Sequence, residues 1–296
     1  MRNFRDQSNL GVWAWLRASA SKAVAVLFLV WMFSGSAAFG QADPGPQPPA
    51  EPIPPGVIPG LEPLFRARKS VEKFFDQSAN VVCTERVTQA VVGKNSKPFY
   101  REESLFDYQL QANNESGGLK LVESRDSRKT AFHDPARTLL ITNGFASMLL
   151  IVHPSYETSY NFEPAGEETV DGVVQAKIRF KAIPGASSPV GLQIRGQTYA
   201  VPLEGMLWIN PQSGEILKLI ASMESSLSDL GLKDMHSEIH YAAIQFHDPE
   251  ETYWMPISAI IDVETPRQHW RNIHRFTQYR RFRGTIEVEL KDKGKS

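Results

Sequence analysis

His236, Glu238 and His240 fall at i, i+2 and i+4, so on an extended strand they share one face. Imidazole and carboxylate are ligand types that Zn²⁺ takes, and His269 and His274 could complete a set if the fold brought them close. The contrasting reading is a solvated sheet face, with Ser237, Ile239 and Tyr241 turned inward. A second concentration of chemistry lies in "PRQHWRNIHRFTQYRRFRG" (266–284), where six Arg alternate with Trp270, Phe276, Tyr279 and Phe282. Guanidinium groups there, Arg271, Arg275, Arg280 and Arg281 among them, suit an anionic partner. They would equally pair with acids on neighbouring strands, such as Asp262, Glu264, Glu287 and Glu289.

Catalytic signatures are otherwise missing. The chain has no G-x-S-x-G, H-E-x-x-H, C-x-x-C, P-loop or dinucleotide glycine pattern. "SVEK" (70–73) matches S-x-x-K, but on an amphipathic helix and without partner motifs. No catalytic residue, metal or cofactor is expected. The single cysteine, Cys83 in "NVVCTERV", rules out an intrachain disulfide and reads as a buried, inert thiol.

The elements that must position these residues begin late in the chain. Arg2, Arg5, Arg17 and Lys22 precede an eleven-residue apolar core, "AVAVLFLVWMF" (23–33), and then "SGSAAFGQA". That is the pattern of a cleaved signal peptide over 1–42, and the core is short for a membrane span. The expected location is periplasmic or secreted; the alternative is an inner-membrane anchor through 23–33. Residues 1–42 hold four of the 32 Lys/Arg and one of the 33 Asp/Glu, so the mature chain carries a net charge near −4. So mild a balance argues against nucleic acid as a partner. Nine prolines within 43–63 make an extended, disordered linker. Residues 64–296 then read as a single domain, mainly β.

"LEPLFRARKSVEKFFDQSA" (61–79) predicts a helix with Leu64, Val71, Phe74 and Phe75 on one face. Strands are predicted at 81–92, 99–111, 118–124, 156–163, 173–182, 197–203, 206–223 (a hairpin), 235–246, 253–264, 272–282 and 285–290. So many hairpin-linked strands require a large antiparallel sheet that curls or closes. Asn210, Pro211, Ser213 and Gly214 close the hairpin, with Gly214 left-handed. Its second strand is apolar on both faces: Leu217, Leu219, Ala221 and Met223 on one, Ile216 and Ile220 beside Lys218 on the other. "NGFASMLLIVHP" (143–154) breaks the alternation and predicts a short buried helix against the concave side. Phe145, Met148, Leu149 and Val152 form its inward stripe, and Gly144 and Pro154 could hinge it as a lid.

"LWINPQSGEILKLIAS" (207–222) resembles the strand–turn–strand hairpin of the LolA/LolB/RseB group of periplasmic carriers and sensors, and "YWMPISAIIDVE" (253–264) is similar to a later strand of that group. "VVCTERVTQ" and "TPRQHWRNIHRF" resemble stretches of uncharacterised secreted bacterial proteins. The resemblance implies a half-open β-barrel with helices on its concave side, no catalytic residues, and an acyl chain, a lipoprotein or an envelope protein as partner, with only transient contact with the membrane. Phe145, Met148, Leu149, Val152, Trp208, Leu217 and Leu219 are the expected apolar ligand contacts, one strand face packing on helix and the other bordering a cavity. The competing expectations are an envelope interaction or sensor protein whose barrel is filled by its own side chains, and a metal-dependent hydrolase built on 236–240.

Overall fold

The computed structural model describes residues 13–15, 57–77, 81–93, 97–115, 118–130, 144–194, 197–247 and 250–281. The apolar core at 23–33, most of the proline-rich stretch and the strand expected at 285–290 lie outside them. Among the described residues no helix is long and apolar enough to cross a membrane.

The helix forms as its pattern requires. Helix α1 spans Glu62–Gln77. Pro63 sits in its first turn, where the missing N–H costs nothing. Leu64, Ala67, Val71, Phe74 and Phe75 are buried, while Lys69, Glu72, Lys73 and Asp76 face water. Burying four large side chains of that face is worth about 6–12 kcal/mol, far more than helix propensity supplies.

The strands run in chain order. They are β1 (Trp13–Trp15), β2 (Val81–Val92), β3 (Pro98–Glu115), β4 (Gly118–Thr130), β5 (Tyr160–Val170), β6 (Val173–Ala182), β7 (Gly191–Ile194), β8 (Gln197–Ala200), β9 (Leu203–Ile209), β10 (Ile216–Met223), β11 (Asp234–His247), β12 (Glu250–Glu264) and β13 (His269–Arg281). Ten of them form one antiparallel sheet in the order β4-β3-β2-β13-β12-β11-β10-β9-β6-β5. β1, β7 and β8 form a small separate sheet. The large sheet does not close: β4 and β5 are its edges. This is the large antiparallel sheet expected from the strand pattern, and it has the curved, half-open form that the family resemblance implies, with α1 on its concave side.

Residues of the concave face alternate cleanly. Ile178 and Phe180 on β6, Leu207 on β9, Leu219 on β10, Ile239 on β11, Ala259 and Ile261 on β12 and Phe276 on β13 are all buried. β10 departs from strict alternation. Its register against β9 shifts between Ile216 and Lys218, so Leu217 is the extra residue of a bulge. Ile216 is thereby buried and Leu217 is only half-buried. The second apolar face of this strand is split by the bulge: Ile216 is turned inward, while Ile220 does not border the cavity that the family resemblance implies. Ile220 lies on the convex face in a cross-strand row with Met206, Glu238, Ile260 and Ile273. Each of these side chains is half-buried by its neighbours, the usual way a sheet face stabilises itself across strands.

Gly214 takes φ +81°, as the turn chemistry predicts. The helix explains why the position is so restrictive. A Cβ there would lie 2.5 Å from the carbonyl carbon of Arg66, and the Arg66 guanidinium donates to the Pro211 carbonyl at 2.8 Å. The turn is the seat on which α1 rests. Gly214→Ala should therefore cost about 2 kcal/mol from its left-handed conformation alone, with the backbone clash in addition. Urea unfolding measures this, and an unchanged midpoint would show that the helix does not bear on the turn.

Candidate functional site

The 144–152 segment lies inside the curved sheet, and every one of its residues is buried. Ser147–Ile151 is a 3-10 helix rather than an α-helix, followed by a second 3-10 turn at Pro154–Ser159. Five residues bracketed by Gly144 and Pro154 are too few to repay α-helix nucleation, so the tighter turn serves.

What fastens the segment is a carboxylate from β4. Glu123 Oε2 accepts from the Gly144 amide at 2.7 Å and from the Tyr108 hydroxyl at 2.6 Å. Its Oε1 accepts from the Ser147 amide at 2.7 Å and the Ser147 hydroxyl at 2.6 Å. From the other side the Tyr241 hydroxyl donates to the Phe145 carbonyl at 2.7 Å. Backbone donors at the start of a helical turn, which have no partner within it, are thus satisfied by side chains of the sheet.

Beside Glu123 lies a buried ionic cluster. Arg125 reaches Glu85 through two N–H groups, Nη2 to Oε1 at 2.7 Å and Nε to Oε2. His274 Nδ1 lies 2.8 Å from the same Oε1. Glu85 is fully buried and His274 is 1% exposed. Burial pushes the Glu85 carboxyl up, but Arg125 and His274 overcome that and hold it below its ordinary range. Burial also holds His274 below its ordinary value, against the pull of Glu85. Nδ1–H donates to the Glu85 carboxylate, which can only accept. Phe145 packs on this cluster, its ring 4.6 Å from the His274 ring and 5.7 Å from the Arg125 guanidinium.

An open cavity of about 400 Å³ lies between α1 and strands β10 to β12. Val71, Phe74, Leu149, Ile216, Tyr241, Tyr253 and Trp254 give it apolar and aromatic walls, while Ser70, Lys73, Glu215, Glu251 and Thr252 supply polar groups. Arg281 donates to Glu251 and to the Tyr253 hydroxyl, and stacks 4.8 Å from the Tyr253 ring centre.

The expected ligand contacts divide accordingly. Leu149 lines the cavity. Phe145, Met148, Val152 and Leu219 belong to the packed core behind it. Trp208 is on the convex face instead, where its indole N–H donates to Glu168 at 2.8 Å and Lys218 Nζ sits 3.7 Å from its ring. Leu217 is in the bulge. These two positions are displaced from the expected wall because Trp208 has outward parity and the bulge shifts β10 by one residue.

The arginines divide too. Arg271 makes a two-pronged bond to Asp262 at 2.9 and 3.0 Å, and His269 joins the same carboxylate. Arg281 is turned to the pocket side past a bulge between Thr277 and Arg280, where Gln278 has φ +57°. Arg275 and Arg280 are exposed. His236, Glu238 and His240 do share the convex face, but His236 bonds Ser222 at 2.8 Å and His240 bonds Glu238 at 2.7 Å. Among the described residues no group of three His, Cys, Asp or Glu is arranged to hold a metal ion.

No family model and no curated protein matches the sequence. Solved structures do. A domain from Vibrio parahaemolyticus, described as an outer membrane lipoprotein-sorting protein domain, aligns with TM-score 0.40 and 11% identity over 76% of this chain and 94% of its own. A LolA superfamily protein from Nitrosomonas europaea gives 0.35 and 14% over 74% and 94%. A DUF1329 family protein from Desulfovibrio piger gives 0.35 and 12% over 76% and 93%. The chain resembles LolA-type structures.

Two measurements test the polar interior. Glu123→Ala strands several buried donors at once and should cost about 4 kcal/mol, with fast hydrogen exchange at the Gly144 and Ser147 amides; slow exchange in that variant would mean the segment is held by packing alone. Acid should also weaken the fold. Glu85 and His274 both bind protons more readily unfolded than folded, so their contribution is complete above the ordinary His pKa of 6.5 and falls as the pH drops, first through His274 and then, near the ordinary carboxyl value of 4.5, through Glu85. Urea midpoints should fall from about pH 7.5 to about pH 5.5, and His274→Asn, which keeps a donor but cannot charge, should make that fall shallower, the remainder coming from His153, which burial also holds low.

Proposed function

We propose that this chain is a non-enzymatic binding protein of the bacterial periplasm or envelope whose ligand is an apolar or lipidated molecule, held in the cavity between α1 and β10–β12. The observation that carries the reading is the cavity itself: about 400 Å³, walled by Val71, Phe74, Leu149, Ile216 and three aromatic rings, with its polar groups gathered from α1, β12 and the start of β10. That volume lies in the range of small-ligand sites. Burying eight methylenes there gains about 6 kcal/mol, enough to offset a substantial part of the cost of association. The signal-peptide pattern and the proline-rich stretch suit an exported protein whose domain stands off the membrane. Arg275 and Arg280, exposed on β13, are available to an anionic envelope partner.

An envelope sensor with a filled barrel is the second reading, and it is favoured by the closely packed interior around Phe145, where Tyr108, His274 and Phe276 meet. Mass spectrometry of an organic extract separates the two. Protein purified from the envelope fraction should yield acyl-chain lipid in near-stoichiometric amount. Ser70→Trp, which places an indole in the cavity from the helix side, should lose at least about 90% of it, equivalent to a tenfold or greater fall in affinity. An empty extract from the unmodified protein would favour the filled barrel.

A further inference from the structure

Glu215 stands where the hairpin turn enters β10, and its backbone carbonyl accepts from the Asn210 amide at 2.9 Å, which fixes it on the cavity wall. The other charged groups of the cavity have company. Glu251 takes hydrogen bonds from Arg281 and Tyr253, and Lys73 adds its field to that same carboxylate. Glu215 makes no ion pair with any described residue, and its Oε2 is shut off from water without a hydrogen-bond donor. Burial pushes its carboxyl up. A half-buried carboxylate left in this condition costs free energy that a ligand can return.

Resting on the reading of this cavity as a site for amphiphiles, we propose that Glu215 selects those whose polar end is a protonated primary amine. Several features converge on that chemistry. The Glu215 carboxyl has a hydrogen bond from its own backbone amide but no cation, and an ammonium group brings that positive charge together with further N–H donors. Its remaining N–H groups have the Ser70 and Thr252 hydroxyls within the same cavity as acceptors. Tyr241, Tyr253 and Trp254 give the cavity an aromatic wall, a surrounding that suits a cation. An anionic head would instead face the Glu215 carboxylate with only the exposed Lys73 to attract it, since Arg281 and Glu251 are engaged with each other. The hydrocarbon chain of the ligand then lies along Val71, Phe74, Leu149 and Ile216.

Calorimetric titration of the purified protein with single-chain amphiphiles below their micelle concentrations tests this. Dodecylammonium should bind at least about tenfold more tightly than dodecanoate. Dodecyltrimethylammonium, which keeps the charge without N–H donors, should fall between them. N-acetyl-lysine amide, which presents the same ammonium without the chain, should bind at least about a hundredfold more weakly than dodecylammonium. Glu215→Gln, close in shape to the native residue, should erase the preference while leaving chain binding in place; circular dichroism confirms that it folds. Equal affinity for the two heads, or a preference that survives Glu215→Gln, would overturn the role of Glu215 and leave the amphiphile site standing. Lysine amide binding as tightly as dodecylammonium would overturn the amphiphile in favour of a peptide. If none of the four compounds binds, the cavity reading itself fails, and the selectivity falls with it.

Discussion

The carboxylate of Glu123 is the fastening on which the interior of this protein depends. It comes from β4, an edge strand of the sheet, and it holds both ends of the Gly144–Ser147 turn. Through that turn Phe145 is set onto His274, Arg125 and Phe276. Leu149, one turn further on, becomes a wall of the cavity. A curved sheet of ten strands leaves a concave surface that two short elements must cover. α1 covers one part by apolar contact. The 144–152 segment covers the other, and its exposed backbone donors make apolar contact insufficient. A charged acceptor in the sheet resolves that conflict, and this is why such a polar group is tolerated in so apolar a place.

The Glu85–Arg125–His274 cluster follows from the same geometry. An ion pair removed from water is rarely a net source of stability; it is costly mainly when broken. Here the pair also offers a flat, charged surface to the Phe145 and Tyr108 rings. The interior is thus specified by direction as well as by volume: Phe145 has a fixed partner, where a purely aliphatic wall would accept several packings.

Much of this architecture is legible in the sequence. The strands at 81–92 and 173–182, the hairpin around Asn210–Gly214 and the inward stripe of the helix all follow from alternation and turn chemistry. Local signals fail where a single residue is inserted. The bulge at Leu217 and the bulge near Gln278 each reverse the parity of what lies beyond, and nothing in the side chains themselves announces the shift. The polar interior is less legible still. Glu85 shares strand parity with Cys83, and His274 with Asn272 and Phe276, so an acid and an imidazole on inward faces are visible as oddities. Their pairing is not visible, because Arg125 is 40 residues from Glu85 and His274 is 189 away. The roles of Glu123 and Glu215 depend on which strand lies beside which helix, and that is decided only by the completed fold.

The strand order has a kinetic meaning. β2 is the first strand of the large sheet to be made, yet it lies between β3 and β13, the last described strand. One side of β2 therefore remains an open row of amide and carbonyl groups until β13 has been synthesised. With partners this distant in sequence, contact order is high and folding is slow. A nascent chain that cannot complete its central strand early stays unfolded for longer. The cost is a period in which β2 is an unprotected edge, open to pairing with other chains. Arg86 and Glu85 within that strand are charges of the kind that discourage such pairing before β13 arrives.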